Sequence, residues 1–395
     1  MAKMPRFLMI IGIIISITIV SRTEALSLDV SELLHKGDDI PCALNQDCDH
    51  TKLSESSYDN YYKTDKSSWD SLGLDPNLLH INQISVGFVP AFREKKNPNS
   101  PEQINSKLFK PMAIMGDYIS LSSWDPELKA IDWAYKIAAK MKEVNNLGIT
   151  VWLRFGHEMN GEWYNWGMQP EKFKNKWQLL AREIKRVTNK TYMVWSPNAM
   201  FGNGIDEKRG GYTPYFPDPQ TVDMVGLSFY HWGKGAIRTN VKPTQAEAIT
   251  KLYEFSKVIH FVFVFLLRGE PETNVGTSSL IKIYGRGGWN KPVIVAETAA
   301  CYTTYQGTTQ SVGGGYSELD IKMTWLHLLV DRYIKQLIPD LKAVIWFEID
   351  KDEVAPGTND HRNEDFRLVV GNPEVSYAVR QLFESYHSTE LAERS

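Results

Sequence analysis

The residues VWLRFGHEMNGEWYNWG, numbered 151–167, say most about the fold of this chain. An apolar run over 150–155 passes directly into polar and aromatic residues that include Glu158. A buried strand ending in such a cluster is typical of an α/β barrel, which presents its active site at the C-terminal ends of its strands. A Glu at an arbitrary strand end is usually a solvated side chain, but His157 and Asn160 beside it favour a functional role.

On both sides of this stretch, short apolar runs alternate with helical patterns from Ile84 onward. That alternation is typical of βαβ units around a parallel sheet. The predicted strands cover residues 84–90, 112–118, 150–155, 192–195, 224–230, 293–296 and 343–347. Helices are predicted after Asp125-Pro126, Pro170 and Pro373, where Pro stands at the start of an apolar pattern of helical period. These seven strands favour an α/β fold, a (β/α) barrel in one domain, with an eighth strand missing from the candidates.

Two features depart from a regular barrel. One early strand is not evident, because residues 119–124 run almost directly into the helix that begins at Asp125 and leave no room for a strand and crossover. The missing strand belongs before Thr150. Either it lies in the polar N-terminal region, or the chain is shortened and its barrel is imperfect. The second feature is an apolar run over 258–267, where a solvated segment is expected.

The N-terminus predicts secretion. Lys3 and Arg6 precede an apolar run over 7–20, and small residues follow up to Ala25. This is the pattern of a signal peptide cleaved after Ala25, and the run is shorter than the ~20 apolar residues that span a bilayer. The predicted organisation is a signal peptide over 1–25, an irregular segment over 26–79 and a barrel domain over 80–395.

An extracellular location permits disulfides. The chain has only Cys42, Cys48 and Cys301, and the close pair Cys42 and Cys48 is the expected bridge, which leaves Cys301 free.

Composition narrows the class of ligand. In 395 residues, 44 Lys and Arg against 47 Asp and Glu give a formal charge of −3, which argues against nucleic-acid binding driven by charge. Aromatic residues reach 12%, with 12 Trp, and such rings stack on flat ligands and sugars. A polysaccharide is the partner that this composition favours.

A second acid ends another apolar strand, in PVIVAETAA over 292–300, where Glu297 stands at the strand end. Two strand-end carboxylates across a barrel mouth are the minimal apparatus of glycoside hydrolysis, in which one protonates the leaving oxygen and the other attacks or activates water. The alternative is that one Glu forms a structural salt bridge with a barrel Arg such as Arg154.

A third strand end carries Tyr230, His231 and Trp232. Tyr230 could hydrogen-bond a carboxylate and keep it ionised, while the other two could line a sugar site. A metal site formed by His157, His231 and an acid is the competing interpretation, but the HExxH spacing is missing and no metal is predicted. Trp346 ends a further strand.

The RFGHEMNG stretch at 154–161, with Trp163, Trp166, Tyr230-His231-Trp232 and Glu297, resembles glycoside hydrolase family 26 over roughly residues 84–386. The resemblance implies a TIM barrel with a retaining mechanism, acting mostly on β-1,4-mannan. It implies Glu158 as the acid/base and Glu297 as the nucleophile, with Tyr230 positioning Glu297. It further implies that His157 contacts a sugar hydroxyl and that Trp163, Trp166 and Trp346 form sugar platforms.

The resulting hypothesis is a secreted, monomeric endo-β-glycanase that needs no cofactor and cuts mannan. β-1,3-Xylan and mixed-linkage β-glucan are alternative substrates, because two carboxylates do not identify the sugar. From a different class, the alternative is an inactive carbohydrate-binding barrel, which the missing strand favours and the two strand-end acids oppose.

Overall fold

A computed structural model describes residues 14–20, 71–120, 132–256, 291–354 and 360–394, apart from positions 92, 93, 95, 202 and 203. The strands are β1 (Ile14–Val20), β2 (His80–Ile81), β3 (Ile84–Val89), β4 (Ile114–Ser120), β5 (Thr150–Phe155), β6 (Thr191–Trp195), β7 (Met224–Ser228), β8 (Val293–Thr298), β9 (Tyr302–Tyr305), β10 (Leu341–Phe347), β11 (Asp350–Val354) and β12 (His361–Asp365). The α-helices are α1 (Pro101–Lys107), α2 (Asp132–Asn146), α3 (Pro170–Val187), α4 (Gly204–Arg209), α5 (Glu318–Val330), α6 (Arg332–Leu337) and α7 (Pro373–Arg394).

The main sheet closes into an α/β barrel. Its strands follow the order β3-β4-β1-β5-β6-β7-β8-β10, and β10 pairs back onto β3. All pairings in the ring that do not involve β1 are parallel. All the strands that the sequence predicts are present, with ends that differ by a few residues, so the expected barrel is confirmed.

The position between β4 and β5 is filled by β1, which is antiparallel to both. On β4, Ile14 faces Ser120 and Val20 faces Ile114, and on β5, Val20 faces Thr150. The gap therefore lies where the sequence places it, just before β5. The strand that fills it comes from the run predicted to be a signal peptide, whose residues 15–19 alternate Ile with Ser or Thr, a pattern that also suits a strand. Cleavage after Ala25 concerns processing and stays a prediction.

Helices cover the outside of the ring through the apolar faces that their sequences predict. α2 buries Ala134, Ile137, Met141 and their neighbours on the same face, and α3 buries Trp177 together with residues one turn away. α7 begins at Pro373, and its apolar positions 375, 379 and 383 are buried. Each face recurs at the helical period of three to four residues, which is why these segments pack as helices against the barrel.

A small second sheet in the order β11-β12-β9 is antiparallel throughout. Phe366 follows β12, is buried, and packs edge-on against Trp232 and Phe347 with ring centroids 5.3 and 5.8 Å away. The second sheet thereby supports the part of the barrel mouth that follows β7 and β10.

Several predictions fall on residues outside the described ranges, including the Cys42–Cys48 bridge and the apolar run over 258–267. Cys301 is buried and forms no disulfide within the described residues. None of the helices in the described part of the chain has both the length and the hydrophobicity needed to cross a membrane.

Candidate active site

The C-terminal ends of β5, β6, β7 and β8 bring together the polar groups that the sequence singled out. Glu158 follows β5, Asn198 follows β6, Tyr230 follows β7, and Glu297 lies near the end of β8. Because parallel neighbours end at the same face of a barrel, residues far apart in sequence meet there.

Glu158 is held in an unusual backbone conformation. Its φ is +54°, in the left-handed region that residues other than Gly seldom occupy, and Gly156 two positions earlier has φ +55°. The Glu158 amide donates a hydrogen bond to the Ser196 carbonyl at 2.7 Å, which ties this turn to the end of β6. The turn aims the carboxyl inward, where it is only 6% exposed.

Two donors hold the Glu158 carboxyl. The Trp163 indole N–H reaches Oε2 at 2.7 Å, and the Asn198 amide reaches Oε1 at 3.1 Å. Asn198 is fixed in turn by Asn160, whose Oδ1 accepts from the Asn198 backbone at 2.8 Å and whose Nδ2 donates to the Asn198 carbonyl at 2.9 Å. The carboxyl therefore sits in a defined orientation.

Glu297 is also buried but meets a cation. Arg154 Nη1 lies 3.0 Å from Glu297 Oε2, and the Tyr230 hydroxyl donates a short hydrogen bond to Oε1. Arg154 is itself held by Ser196 Oγ at 3.2 Å and Ser228 Oγ at 2.8 Å. The salt bridge that the sequence offered as an alternative to a catalytic role is thus present, and it lies inside the site.

These surroundings push the pKa values of the two acids in opposite directions. Burial and the nearby Glu297 charge raise the pKa of Glu158 to about 7, against the opposing bonds from Asn198 and Trp163. Burial also acts to raise the pKa of Glu297, but Arg154 and further donors, including Tyr230, outweigh it and lower that pKa to about 2. Between these values Glu158 carries a proton and Glu297 is an anion, which is the division of roles that acid/base chemistry requires.

His157 lies beside this pair and is neutral. Burial and the Arg154 charge lower the pKa of His157 to about 3, against an opposing effect of Glu297. Its Nε2 lies 3.2 Å from the Tyr164 hydroxyl, and its Nδ1 is buried without a hydrogen-bond partner among the described residues. A polar atom left open at this position suits a ligand hydroxyl.

Tyr118, at the end of β4, supplies a second open group. Its buried hydroxyl has no hydrogen bond of ordinary geometry within the described residues, and its ring lies 5.6 Å from that of His157. It is close enough to Glu297 to contribute to the lowered pKa of that acid.

Trp163 and Trp166 differ in exposure. Trp163 is 42% exposed next to Glu158 and can offer a ring to a ligand. Trp166 is half-buried, stacks on Tyr164 at 4.2 Å, and donates its indole N–H to the His157 carbonyl at 2.8 Å. It therefore supports the His157 turn from behind.

Two predicted sugar-lining residues are buried in the wall. Trp346 is fully buried and donates to the Phe366 carbonyl at 2.7 Å, so the predicted platform is corrected to a packing residue. His231 is 1% exposed, and its ring nitrogens lie 2.9 Å from Glu247 and 2.8 Å from the Val241 carbonyl, which leaves no nitrogen for a ligand. Both side chains face the packed side of their strand ends.

Trp232 is intermediate in exposure between Trp163, which is exposed, and Trp346, which is buried. It is half-buried, 5.0 Å from the Tyr230 ring, and the Arg238 guanidinium lies 3.9 Å over its face. It lies beside Tyr230, and one face of its ring is already covered by the Arg238 cation, so its sugar-lining role stays a prediction.

Sequence reasoning missed Asn198, Tyr118 and Tyr164 as site residues. Asn198 could have been found, because it follows a predicted strand as Glu158 and Tyr230 do. The other two have no local signal, since their place in the site depends on which strands and turns become neighbours. Within the described residues no group of three or more His, Cys, Asp or Glu side chains is arranged to hold a metal ion.

Comparison with known proteins finds relatives among glycoside hydrolases. The model described as Glycosyl hydrolase family 26 matches residues 117–264. A mannan endo-1,4-beta-mannosidase of Bacillus subtilis is 32% identical over 173 residues, which are 42% of this chain and 42% of that protein. Mannan endo-1,4-beta-mannosidase A and B of Caldalkalibacillus mannanilyticus is 28% identical over 159 residues, 37% of this chain and 27% of that protein.

The chain spans less than half the length of the curated relatives it matches. Among solved structures, the family 26 domain of an endo-beta-mannanase/endo-beta-glucanase from Prevotella bryantii is 12% identical, with a TM-score of 0.32 over 63% of this chain and 54% of that domain. At that TM-score the fold assignment rests on the strand order of this chain. Over the matched segment the chain is therefore similar to glycosyl hydrolase family 26 and to the curated relatives named above.

Proposed function

We propose that this chain is a retaining glycoside hydrolase that cuts β-1,4-mannan internally. The premise is its similarity to glycosyl hydrolase family 26. The observation that carries the proposal is the contrast between two buried carboxyls, Glu158 protonated and Glu297 ionised over the same pH range. Retaining glycosidases need this pairing of an acid and a nucleophile.

In the first step Glu297 attacks the anomeric carbon while Glu158 gives its proton to the leaving glycosidic oxygen. The bond between sugar and leaving group breaks, and a glycosyl ester of Glu297 forms. Arg154 and Tyr230 hold the attacking carboxylate ionised and oriented. The bonds from Trp163 and Asn198 fix the direction in which Glu158 faces.

In the second step Glu158, now ionised, takes a proton from water as the water attacks the anomeric carbon. The ester bond to Glu297 breaks, the carboxylate is regenerated, and the sugar leaves with retained configuration. Each residue therefore returns to its starting protonation state, and the cycle needs no cofactor.

Mannan is favoured as the substrate because the curated relatives named above are mannan endo-1,4-beta-mannosidases. Mannose differs from glucose in its axial 2-hydroxyl, and the open Nδ1 of His157 is a buried group that such a hydroxyl could satisfy. A site that pairs a buried polar group with one hydroxyl rejects analogues that leave it unpaired. β-1,3-Xylan and mixed-linkage β-glucan remain substrates to be tested beside mannan.

A carbohydrate-binding protein without turnover is the second candidate. It is favoured by one observation, the antiparallel β1 in a ring that is otherwise parallel. Secretion and a monomeric state belong to the proposal on the strength of the sequence pattern alone. Cleavage after Ala25 would remove β1 from the ring, so it is compatible with the proposal only if a chain that starts at Leu26 keeps its fold and its turnover.

The test is to incubate purified protein with mannan, β-1,3-xylan, mixed-linkage β-glucan and cellulose and to measure reducing ends. Mannan should be cut fastest, and equal rates on cellulose and mannan would contradict the substrate assignment. Glu297→Ala should lose turnover and regain it with azide, giving a glycosyl azide of inverted configuration.

Glu158→Ala should behave differently from Glu297→Ala. With an aryl leaving group that needs no proton the first step should survive, intermediate should accumulate, and azide should give a product of retained configuration. Wild-type protein that binds mannan and releases no reducing ends, with both variants binding equally well, would leave the carbohydrate-binding candidate in place.

A further inference from the structure

Arg209, at the end of α4, lies between two exposed aromatic rings at the edge of the site. Its guanidinium carbon is 4.9 Å from the centroid of Trp163 and 4.9 Å from that of Phe201. The rings are 42% and 46% exposed, whereas Arg209 is only 7% exposed. The two rings and the backbone around them therefore cover a cation almost completely at the surface of the protein.

Glu162 supplies the counter-charge. Arg209 Nε and Nη2 lie 2.8 and 2.7 Å from the same oxygen, Glu162 Oε2. Because Glu162 immediately precedes Trp163, the ion pair fixes the backbone at the base of the indole while the guanidinium plane fixes its face. A planar guanidinium can do both at once, which the point charge of a Lys cannot.

The ring that Arg209 holds is the one that bonds the acid/base candidate. The Trp163 indole N–H donates to Glu158 Oε2 at 2.7 Å, and a rotation of the ring would break that bond. This bond is one of the interactions that oppose the rise in the pKa of Glu158. Arg209 itself does not touch Glu158 among the described contacts, so any influence on the acid has to pass through Trp163.

We propose that Arg209 is a positioning residue that locks the Trp163 indole and thereby holds Glu158 in the orientation needed to protonate the leaving oxygen. The proposal rests on the function proposed above, because it assigns a role within the same reaction. The chain also offers a matched control in Arg186, which makes a comparable arrangement far from the site. Arg186 Nε lies 2.9 Å from Glu183 Oε2, and its guanidinium lies 5.7 Å from the Tyr135 ring.

The first experiment measures kcat/KM of wild type, Arg209→Ala, Arg209→Lys and Arg186→Ala on two substrates, mannopentaose and 2,4-dinitrophenyl β-mannobioside. Dinitrophenolate leaves without a proton, so only the natural substrate depends on Glu158 as an acid. Arg209→Ala should lose about 30-fold on mannopentaose, part of the 10²–10⁴ that general acid catalysis supplies, and less than about 3-fold on the aryl substrate. Arg209→Lys should fall between, and Arg186→Ala should match wild type on both.

Equal losses on the two substrates would overturn the proposal, because Arg209 would then act on binding or on the fold as a whole. If Arg209→Ala does not fold, Glu162→Gln replaces it, since it removes the counter-charge and keeps the guanidinium. The same selective loss is expected for Glu162→Gln, and an unselective one overturns the proposal.

A second readout does not depend on turnover. In protein labelled with ¹⁵N-Trp, the indole N–H resonance of Trp163 is identified by its absence in Trp163→Phe. In wild type it should titrate with the pKa of Glu158, about 7, and in Arg209→Ala it should move toward the free indole position and lose this titration. An unchanged resonance would refute the positioning role, even for a protein that hydrolyses neither substrate, in which case the proposed function has failed separately.

Discussion

The wall formed by β5, β6, β7 and β8 and the wall formed by β4 and β1 are both built of paired strands, yet they contribute unequally to the site. Each strand of the first wall delivers a polar group at or near its C-terminal end: Arg154, Asn198, Tyr230 and Glu297. In the second wall β1 runs the other way, so its C-terminal end at Val20 lies beside Thr150, at the start of β5. Closure of the ring needs only paired backbone groups, which antiparallel strands provide as well as parallel ones. The site needs strands that run in the same direction, so that their C-terminal ends meet at one face. Closing the ring and building the site are therefore separate requirements.

Removing β1 should have the largest effect. A chain that starts at Leu26 loses 7 paired positions on β4 and 6 on β5, 13 in all, and leaves two strand edges open. With each net hydrogen bond contributing about 0.5–1.5 kcal/mol, the melting temperature should fall by more than about 10 °C. Scanning calorimetry on the full chain and the shortened chain decides this.

Unchanged stability without β1 would alter the contrast between the two walls. A shortened chain that melts like the full chain and cuts mannan would show that β1 is dispensable. In that case the run over 7–20 would not be needed in the barrel and could act as the predicted signal peptide.

Arg154→Met tests the first wall at its most buried charge. The substitution leaves the Glu297 carboxylate without its cation in a site where Arg154 is 1% and Glu297 8% exposed. Breaking a buried ion pair from one side costs roughly 3–5 kcal/mol of unfolding free energy, which urea denaturation measures. Adding Glu297→Gln to Arg154→Met should recover much of that loss, and a double variant as unstable as Arg154→Met would argue against the ion pair as the cause.

Tyr230→Phe and Tyr118→Phe compare one hydroxyl from each wall. The Tyr230 bond lowers the pKa of Glu297, so its loss raises that pKa from about 2 and moves the acidic limb of kcat/KM to higher pH. A hydrogen bond to a charged group contributes about 1.5–3 kcal/mol, so kcat/KM should fall about 10- to 100-fold. Tyr118 also lowers the pKa of Glu297, so Tyr118→Phe should move the acidic limb in the same direction. Its kcat/KM should fall less, because no hydrogen bond of ordinary geometry joins the Tyr118 hydroxyl to Glu297. A larger loss in Tyr118→Phe would reverse the ranking of the walls.

Asn198→Ala should give the smallest change, on the basic limb. Glu158 must be protonated, so activity falls as the pH rises through its pKa of about 7. The Asn198 bond lowers this pKa, and without it the pKa rises and activity persists to higher pH. A shift below about one pH unit is expected, corresponding to less than 1.36 kcal/mol. The exposed Asn189→Ala serves as the control, and a shift to lower pH in Asn198→Ala would contradict the assignment of Glu158 as the acid.

The sequence predicts the parallel part of the barrel well because its signals are local. Each strand is an apolar run, and Glu158 and Glu297 each stand at the end of one, so position along the chain already implies position at the mouth. The strand-end position of Tyr230 predicted a hydrogen bond to a carboxylate, the family resemblance implied Glu297 as that carboxylate, and the structure joins the two.

What the sequence could not supply depends on neighbours. The run that forms β1 alternates apolar and polar residues over 15–19, which is a strand period, but its place after Lys3 and Arg6 also fits a signal core. Trp346 and His231 stand at strand ends, but which way each side chain faces is decided by packing against Phe366 and Glu247. The role of Arg209 requires two rings and a carboxylate to meet, which no spacing in the chain reveals.

The direction of β1 also affects how the protein can be handled in the laboratory. Its first residue, Ile14, pairs with Ser120, so the chain enters the ring at the face where the carboxyls lie. A purification tag or fluorescent fusion at Met1 is tethered to that face by residues 1–13, which can extend about 43–47 Å at most. Near the other terminus, the His387 ring lies 5.2 Å from that of Phe109, which precedes the start of β4 at the opposite face. A fusion partner joined after α7 therefore leaves the mouth open to a long polymer, whereas one joined at Met1 competes with it for space.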